Sequence, residues 1–419
     1  VKNQQKDFRM KRKKHILVIS QVFYPEQFRI NDMCQEWVKR GYKVTVLTGI
    51  PNYPQGKFYE GYDFCRNRKE VWNGIEIIRI PVIPRGNNVI GLVLNYFSFP
   101  ISGFFWNLFN KIKSDYCFMF ETSPMTQCVI GVWYAKKHKV PLYAYVQDLW
   151  PENVEIVTGI THPLVIEPIQ KMVDYIYRNC DEIFVTSPSF VRAVCDREKK
   201  VPEEKVHYWP QYAEEFYQPI KSVMVDEIQE TDAFKVIFTG NVGYAQGLDI
   251  LPKTAALLKE KGKRILFCVV GDGRYMEELK KEIKELQVEE MFCMTGRKPA
   301  EDVPKLLGAC DVAFLSFMKT KLFEMTIPAN LQSYMAYGMP VIAAAAGETQ
   351  RIIEEAKCGV YSPSGDAESL AESVEKMMEC SREKLEEMGK NSRRYFLEHF
   401  EKQKLMNQMD RYFDESTIN

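Results

Sequence analysis

The stretch "VIFTGNVGYAQGLDIL", residues 236–251, decides how the chain is read. It starts as an apolar strand, turns through Gly240, Gly243 and Gly247, and continues in a helical pattern. Glycine-rich strand-to-helix turns commonly bind phosphate, because bare backbone N–H groups and a helix N-terminus attract anions. Such a turn normally opens a mononucleotide-binding domain, yet this one lies past the midpoint of 419 residues and contains no Lys or Arg. Its position implies a second wound domain behind a first.

Working outward, the upstream half alternates strands with helical stretches. "HILVIS" (15–20) is a continuous apolar run, as a buried parallel strand should be. "KVTVLTG" (43–49), "GIEIIRIP" (74–81), "DYCFMFE" (115–121), "PLYAYVQD" (141–148) and "DEIFVTS" (181–187) follow at α/β spacing. Residues 213–232 are polar and aperiodic and read as a linker. Winding then restarts with "FKVIFTG", "RILFCVVGDG" (264–273), "MFCMTGR" (291–297), "CDVAFLSF" (310–317) and "PVIAAAA" (340–346). The expected fold class is therefore α/β, with two Rossmann-like doubly wound domains facing across a cleft. The expected boundaries are 1–212, a linker at 213–232, a second domain at 233–395, and a closing helix at 396–419 that crosses back to the first domain.

Composition narrows the function. Lys+Arg and Asp+Glu balance at 56 each, so no global field points to nucleic acid. Eleven scattered cysteines without a C-x-x-C read as reduced thiols in a cytoplasmic protein. The five His residues have no metal-like spacing. Residues 15–24 lack the G-x-G-x-x-G of a nicotinamide dehydrogenase. The run "VKNQQKDFRMKRKKH" (1–15) is basic without the apolar core of a secretory signal; it reads as a solvated terminus or as an electrostatic tether to anionic lipid.

Six segments in order carry a resemblance: "SQVFYPEQFRIND" with "LTGIPNYPQGK", then "VQDLWPENV", "FTGNVGYAQGLD", "VVGDGR", "MTGRKP" and "TIPANLQSYMAYGMPVIA". Over almost its whole length the chain resembles the family 4 retaining glycosyltransferases of the GT-B fold. It looks closest to the bacterial branch that transfers N-acetylated amino sugars, such as the L-fucosamine transferases of surface-polysaccharide assembly. The resemblance implies a UDP-sugar donor in the second domain and a polyprenyl-diphosphate-linked saccharide acceptor in the first. It also implies retention of configuration, and a place on the inner face of the cell membrane in capsule, O-antigen or exopolysaccharide synthesis. No Asp-x-Asp occurs, which argues for transfer without a metal or other cofactor.

The same resemblance assigns roles to positions. Gly240, Asn241, Gly243, Gln246, Gly247, Gly271, Asp272, Arg274, Arg297, Thr326, Pro328, Ala329, Asn330 and Ser333 would bind the donor. Asn241 and Gln246 stand where family members commonly have Arg and Lys, and Ser333 stands where the second of two Glu is usual. Diphosphate charge would then fall to glycine N–H groups, the helix after Pro328, and Arg274, Arg297, Lys319 or Lys321. Asp148, Glu152 and Glu324 are the candidate catalytic carboxylates; Glu26 and Arg29 would bind acceptor or pair with each other. Two other readings stay open: a GT-B epimerase acting at C2 of UDP-N-acetylglucosamine, and a non-catalytic nucleotide-sugar-binding partner.

One segment resists assignment from sequence. "VIGLVLNYFSFPISGFFWNLF" (89–109) is the most hydrophobic stretch, interrupted by Asn95, Pro100, Gly103 and Asn107. It reads as a buried core helix, or as an apolar face dipping into the bilayer interface.

Overall fold

The computed structural model describes residues 13–86, 89–220, 225–228 and 231–415, so the basic N-terminal run lies, up to residue 12, outside it. The chain divides into two units. The first holds residues up to Val185 together with Ala193–His207; the second holds Thr186–Arg192 and everything from Tyr208 onward.

In the first unit the order is β1 (His15–Ile19), α1 (Arg29–Lys39), β2 (Lys43–Gly49), β3 (Lys69–Trp72), β4 (Ile75–Ile80), α2 (Val89–Phe109) and β5 (Tyr116–Glu121). It continues with α3 (Cys128–His138), β6 (Leu142–Val146), α4 (Glu152–Thr158), α5 (Pro163–Arg178) and β7 (Glu182–Val185), then α6 (Pro188–Cys195), whose residues up to Arg192 belong to the second unit, and β8 (Val206–Tyr208), which joins the first sheet. The sheet order is β3-β4-β2-β1-β5-β6-β7-β8. β1 pairs in parallel with β2 on one side and β5 on the other. Every residue of β1, β5 and β6 is buried, which is why these strands are apolar but for His15 at the start of β1 and Glu121 at the end of β5. The short edge strand β3 escaped the sequence reading because it is antiparallel to β4 and alternates exposed and half-buried positions.

α2 is apolar on its outward face. Its inward positions are Asn95, Phe99, Pro100, Gly103 and Asn107, all buried. Gly103 leaves room for Ile130 of α3, whose Cδ1 would lie 2.3 Å from any Cβ placed there. Ile90, Val93, Leu94, Phe97, Ile101, Phe104, Phe105, Leu108 and Phe109 are instead 45–78% exposed. Most of them recur at intervals of three and four, one helical stripe. The residues that seemed to interrupt the apolar run are thus the ones facing the protein. No helix of the described residues is long and apolar enough to cross a membrane.

The second unit runs β9 (Phe234–Thr239), α7 (Ile250–Glu260), β10 (Ile265–Val270), α8 (Met276–Glu285), β11 (Phe292–Gly296), α9 (Val303–Gly308), β12 (Val312–Ser316) and α10 (Lys321–Glu324). It closes with α11 (Ala329–Tyr337), β13 (Val341–Ala344), α12 (Glu348–Ala356), β14 (Gly359–Ser362), α13 (Ala367–Met378), α14 (Arg382–His399) and α15 (Lys402–Glu415). Its sheet order is β11-β10-β9-β12-β13-β14. Of the stretch that reads as a linker, Tyr217 and Ile228 are buried in this unit's core and Phe216 packs beside them. α15 accepts a hydrogen bond from Trp209 Nε1 at Leu405 O (2.9 Å), and Lys402 pairs with Glu215 (3.5 Å).

The turns after β9 and β10 interlock through backbone. Gly240 N donates to Val270 O (2.9 Å), Val242 N to Asp272 O (3.0 Å) and Gly271 N to Gly296 O (3.0 Å). A Cβ on Gly271, where φ is +154°, would sit 1.8 Å from Gly240 O. Gly271→Ala should therefore destabilise this unit by about 3 kcal/mol or more, since backbone must move. Gly262→Ala, at φ +67° with no atom near the added carbon, should cost only about 1 kcal/mol. Urea denaturation of both variants checks the pair; equal losses would contradict the interlock.

Candidate functional site

Ligands of open parallel sheets bind beyond the carboxyl ends of the strands, where the strand order reverses. In the first unit that point lies between β1 and β5. A pocket of about 250 Å³ occurs there, lined by Gln21, Val22, Phe28, Asn52, Tyr53, Arg85, Asn95, Tyr96, Thr122, Ser123, Pro124 and Asp148. Asp148 is its one carboxylate and Arg85 its one cation.

Asp148 follows β6 and is anchored rather than mobile. Its Oδ2 accepts from Ser123 N (2.9 Å) and Ser123 Oγ (2.8 Å). Ser123 Oγ in turn accepts from Trp150 Nε1 (3.1 Å) and Asn153 Nδ2 (2.6 Å). Burial pushes the Asp148 carboxyl above the usual range, partly countered by the Ser123 bonds. Beneath it lies Glu121, the fully buried last residue of β5, whose Oε2 accepts from Gln147 N (3.2 Å) and Asp148 N (3.3 Å). Burial raises Glu121 well above the ordinary carboxylate value, and the Asp148 charge adds to that. Sequence reasoning missed Glu121, although a carboxylate ending an otherwise apolar strand was a visible signal. Glu152, at the start of α4, does not line the pocket; its Oε2 is buried without a hydrogen-bond partner among the described residues.

Glu26 does not line the pocket either. It is 3% exposed and works as a clamp between two loops. Oε1 accepts from Asn52 N and Tyr53 N, both at 2.7 Å, and Oε2 from Phe23 N (3.3 Å). It thereby positions Asn52 and Tyr53, which do line the pocket. Arg29 opens α1 and is absent from the lining.

In the second unit the order reverses at β9 and β12. Met318 N donates to Ala245 O (3.0 Å) and Ser316 Oγ to Gln246 O (2.5 Å), so the chain after β12 meets the glycine turn. The N–H groups of Gly240, Val242, Gly243, Gln246 and Gly247 are already engaged within the unit. Asn241 Nδ2 (3.4 Å) and Gly243 N (3.1 Å) both donate to Gln246 Oε1, so these two side chains shape the turn. The expectation of bare N–H groups is corrected for those five positions: the turn's own geometry consumes them.

Cations are free instead. Arg274, Arg297, Lys319 and Lys321, beyond β10, β11 and β12, are exposed and form no ion pair among the described residues. α11 begins after Pro328; Leu331 N returns to Pro328 O (3.0 Å), leaving the N–H groups of Ala329 and Asn330 as its first turn. Ser333 is buried and its hydroxyl donates back to Ala329 O (3.4 Å), as helical serines do. Thr326 Oγ1 donates to Leu322 O (2.8 Å), and Asp272 is exposed and its Oδ1 accepts from Gly273 N. Glu324 is exposed, with its carbonyl so near Gly347 that a Cβ there would lie 2.0 Å away. Asp148 and Glu152 belong to the first unit and Glu324 to the second.

Two parallel-sheet Rossmann-like units in one chain make the GT-B architecture. Residues 223–395, most of the second unit, match the family described as Glycosyl transferases group 1. Among curated proteins, the chain is 26% identical over 174 residues to the putative colanic acid biosynthesis glycosyltransferase WcaL of Escherichia coli K12. That alignment covers 41% of this chain and 43% of the relative, so the match spans about two fifths of that protein's length. The putative colanic acid biosynthesis glycosyl transferase WcaI of the same organism is 24% identical over 329 residues, 75% of this chain and 78% of its own. The solved structure of Anabaena Alr3699/HepE in complex with UDP and glucose superposes with a TM-score of 0.70 at 15% identity, covering 96% of this chain and all of that one.

Glu26 provides a test of the loop clamp. Burial raises its pKa from 4.5 to about 7. A raised carboxylate contributes stability that is full below the unfolded value and is lost as pH rises through the folded one. Between pH 4.5 and 7 the first unit should lose about 3 kcal/mol from this group. Glu26→Gln should flatten that slope in urea titrations at pH 5 and pH 8; an unchanged slope would show that Glu26 stays ionised.

Proposed function

We propose that the chain is a retaining glycosyltransferase of surface-polysaccharide synthesis. It moves an N-acetylamino sugar from UDP to a polyprenyl-diphosphate-linked saccharide. The carrying observation is the set of four cations, without an ion pair among the described residues, beyond the strands of a unit that matches the group 1 glycosyltransferases. HepE, of the same fold, holds UDP, which favours a uridine diphosphate donor here.

The second unit takes the donor. Arg274, Arg297, Lys319 and Lys321 offset the diphosphate charge, and the first turn of α11 adds its N–H groups. These groups do the electrostatic work on the departing UDP, so transfer runs without a metal. Glu324 takes the sugar hydroxyls. The first unit takes the acceptor sugar, with its hydroxyl donating to Asp148. The hydroxyl oxygen bonds to the anomeric carbon on the same face from which the β-phosphate oxygen departs, so that one bond forms as the other breaks and the configuration is retained. The hydroxyl proton passes to Asp148, whose burial favours taking it. Asp148→Asn should lower turnover by roughly 100-fold, the usual size of a lost general base. The donor KM should hardly change, because Asp148 lies outside the donor unit. The direct assay follows UDP release from a panel of UDP-sugars, with and without a polyprenyl-diphosphate-GlcNAc acceptor. UDP-sugars that bind yet release no UDP with any acceptor would point to a binding partner instead.

Peripheral attachment to the inner membrane leaflet belongs to the same proposal. The outward apolar face of α2 supports it, with a groove of about 720 Å³ lined by Phe105, Trp106 and Phe109 alongside Arg68, Lys69 and Lys111. Apolar side chains rimmed by cations suit an anionic bilayer. The protein should co-sediment with phosphatidylglycerol vesicles. Phe105→Ser combined with Phe109→Ser should weaken that binding by about tenfold or more, given the apolar area lost. Equal sedimentation of wild type and variant would remove α2 as the contact.

A further inference from the structure

We infer that Arg85 holds the diphosphate of a prenyl-diphosphate-linked acceptor, and that the first isoprene units of that acceptor run along Val93, Leu94 and Phe97 of α2. The inference rests on the reading of the first unit's pocket as the acceptor site.

Size comes first. At about 250 Å³ the pocket falls below the roughly 300–1,000 Å³ of sites that enclose drug-sized ligands. One sugar ring fills it, so whatever the sugar is linked to must lie outside. Charge is next. Asp148 and Arg85 reach the pocket from opposite sides of β1: Asp148 follows β6, while Arg85 lies beyond β4. Arg85 is thus the one lining residue able to meet an anion.

The Arg85 backbone is fixed and its guanidinium is available. Its N–H donates to Asn52 Oδ1 (3.0 Å), and Asn52 is itself oriented by Nδ2 donating to Ile50 O (2.8 Å). The guanidinium sits 5.5 Å from the centre of the Tyr53 ring, a cation–π contact that holds it without neutralising it. It forms no ion pair among the described residues. A planar guanidinium with an unfilled fork matches phosphate oxygens two at a time.

The surface beyond the arginine is apolar. Asn95 and Tyr96 of α2 line the pocket, whereas Val93, Leu94 and Phe97 on the same turn face outward, 45–56% exposed. One helical turn rises about 5.4 Å, so the pocket wall and the apolar face lie within a single turn. Residues 89–109 contain no Asp or Glu to repel a diphosphate. A polar pocket, a bare guanidinium and an apolar face therefore adjoin one another, matching the parts of a lipid-linked sugar: hexose, diphosphate, hydrocarbon.

The test uses the full chain and farnesyl diphosphate as probe, read by titration calorimetry. Wild type should bind it, and Arg85→Ala should weaken binding by about tenfold or more, the size of a lost charged hydrogen bond. Arg85→Lys should fall between, keeping charge without the fork. Val93→Ser with Phe97→Ser should weaken farnesyl diphosphate but leave inorganic diphosphate unchanged. Circular dichroism of each variant shows whether it has folded, and the lysine variant keeps the question answerable if the alanine variant has not. No binding by wild type, no effect of Arg85→Ala, or displacement of the probe by UDP would each overturn the inference. Acceptor-dependent UDP release with Arg85→Ala binding unchanged would sink this inference while the transferase reading stands. Arg85-dependent binding with no UDP released by wild type from any donor would do the reverse.

Discussion

A gap too narrow for one methyl group organises the second unit. Gly271 and Gly240 O approach so closely that no Cβ fits between them, and that approach locks the turns after β9, β10 and β11 together. The turns at the carboxyl ends of parallel strands face a common constraint. They must satisfy their own backbone polar groups and still leave a concave, ligand-ready rim. The second unit meets it with backbone on backbone, made possible by glycine. The first unit meets it with a side chain: the Glu26 carboxylate gathers the N–H groups of Phe23, Asn52 and Tyr53. Glycines that look like a phosphate cradle therefore serve the protein's own backbone first, and the charges without an ion pair among the described residues are Arg274, Arg297, Lys319 and Lys321 on the rim.

Much of this was legible beforehand because parallel strands buried on both faces leave no room for polar residues. "HILVI", "YCFMF" and "ILFCVV" announced β1, β5 and β10. β3 did not announce itself, since an antiparallel edge strand tolerates Lys69 and Glu70. Residues 213–232 read as a polar linker, yet Tyr217 and Ile228 are buried in the second core with Phe216 beside them, and a periodicity argument cannot see anchors spaced irregularly. At the site, Asp148 was readable from its position after an apolar strand. Ser123, which holds it, was not, because it lies 25 residues upstream, while Glu121 left only the signal of a carboxylate ending an apolar strand. Asn241 and Gln246 lie in the turn, and their bond to each other is a matter of rotamers, which sequence does not specify.

α2 shows how composition can mislead when the surroundings of a helix are unknown. Asn95, Pro100, Gly103 and Asn107 look like flaws in an apolar run, and the fold uses them as its contact surface. Asn95 bridges Gln21 Nε2 and Ile83 O, while Gly103 admits Ile130. The large aliphatic and aromatic residues are left outward. In a soluble helix this arrangement would cost stability through exposed apolar area, and it becomes favourable where the surrounding medium is itself apolar.

The chain passes between the two units at Val185–Thr186, Arg192–Ala193 and His207–Tyr208, so α6 begins in one and ends in the other. Its opening residues are tied to the second unit: Ser187 Oγ donates to Met325 O (2.5 Å), and Ser189 N and Oγ both donate to Glu348 Oε1. Recombination between related chains is constrained accordingly. A hybrid joined at a single point near residue 208 would pair the serines of one parent with the carboxylate and carbonyl of another. Exchanging the first unit while keeping the second would require residues 186–192 to travel with the latter, as a short island of one parent's sequence inside the other's.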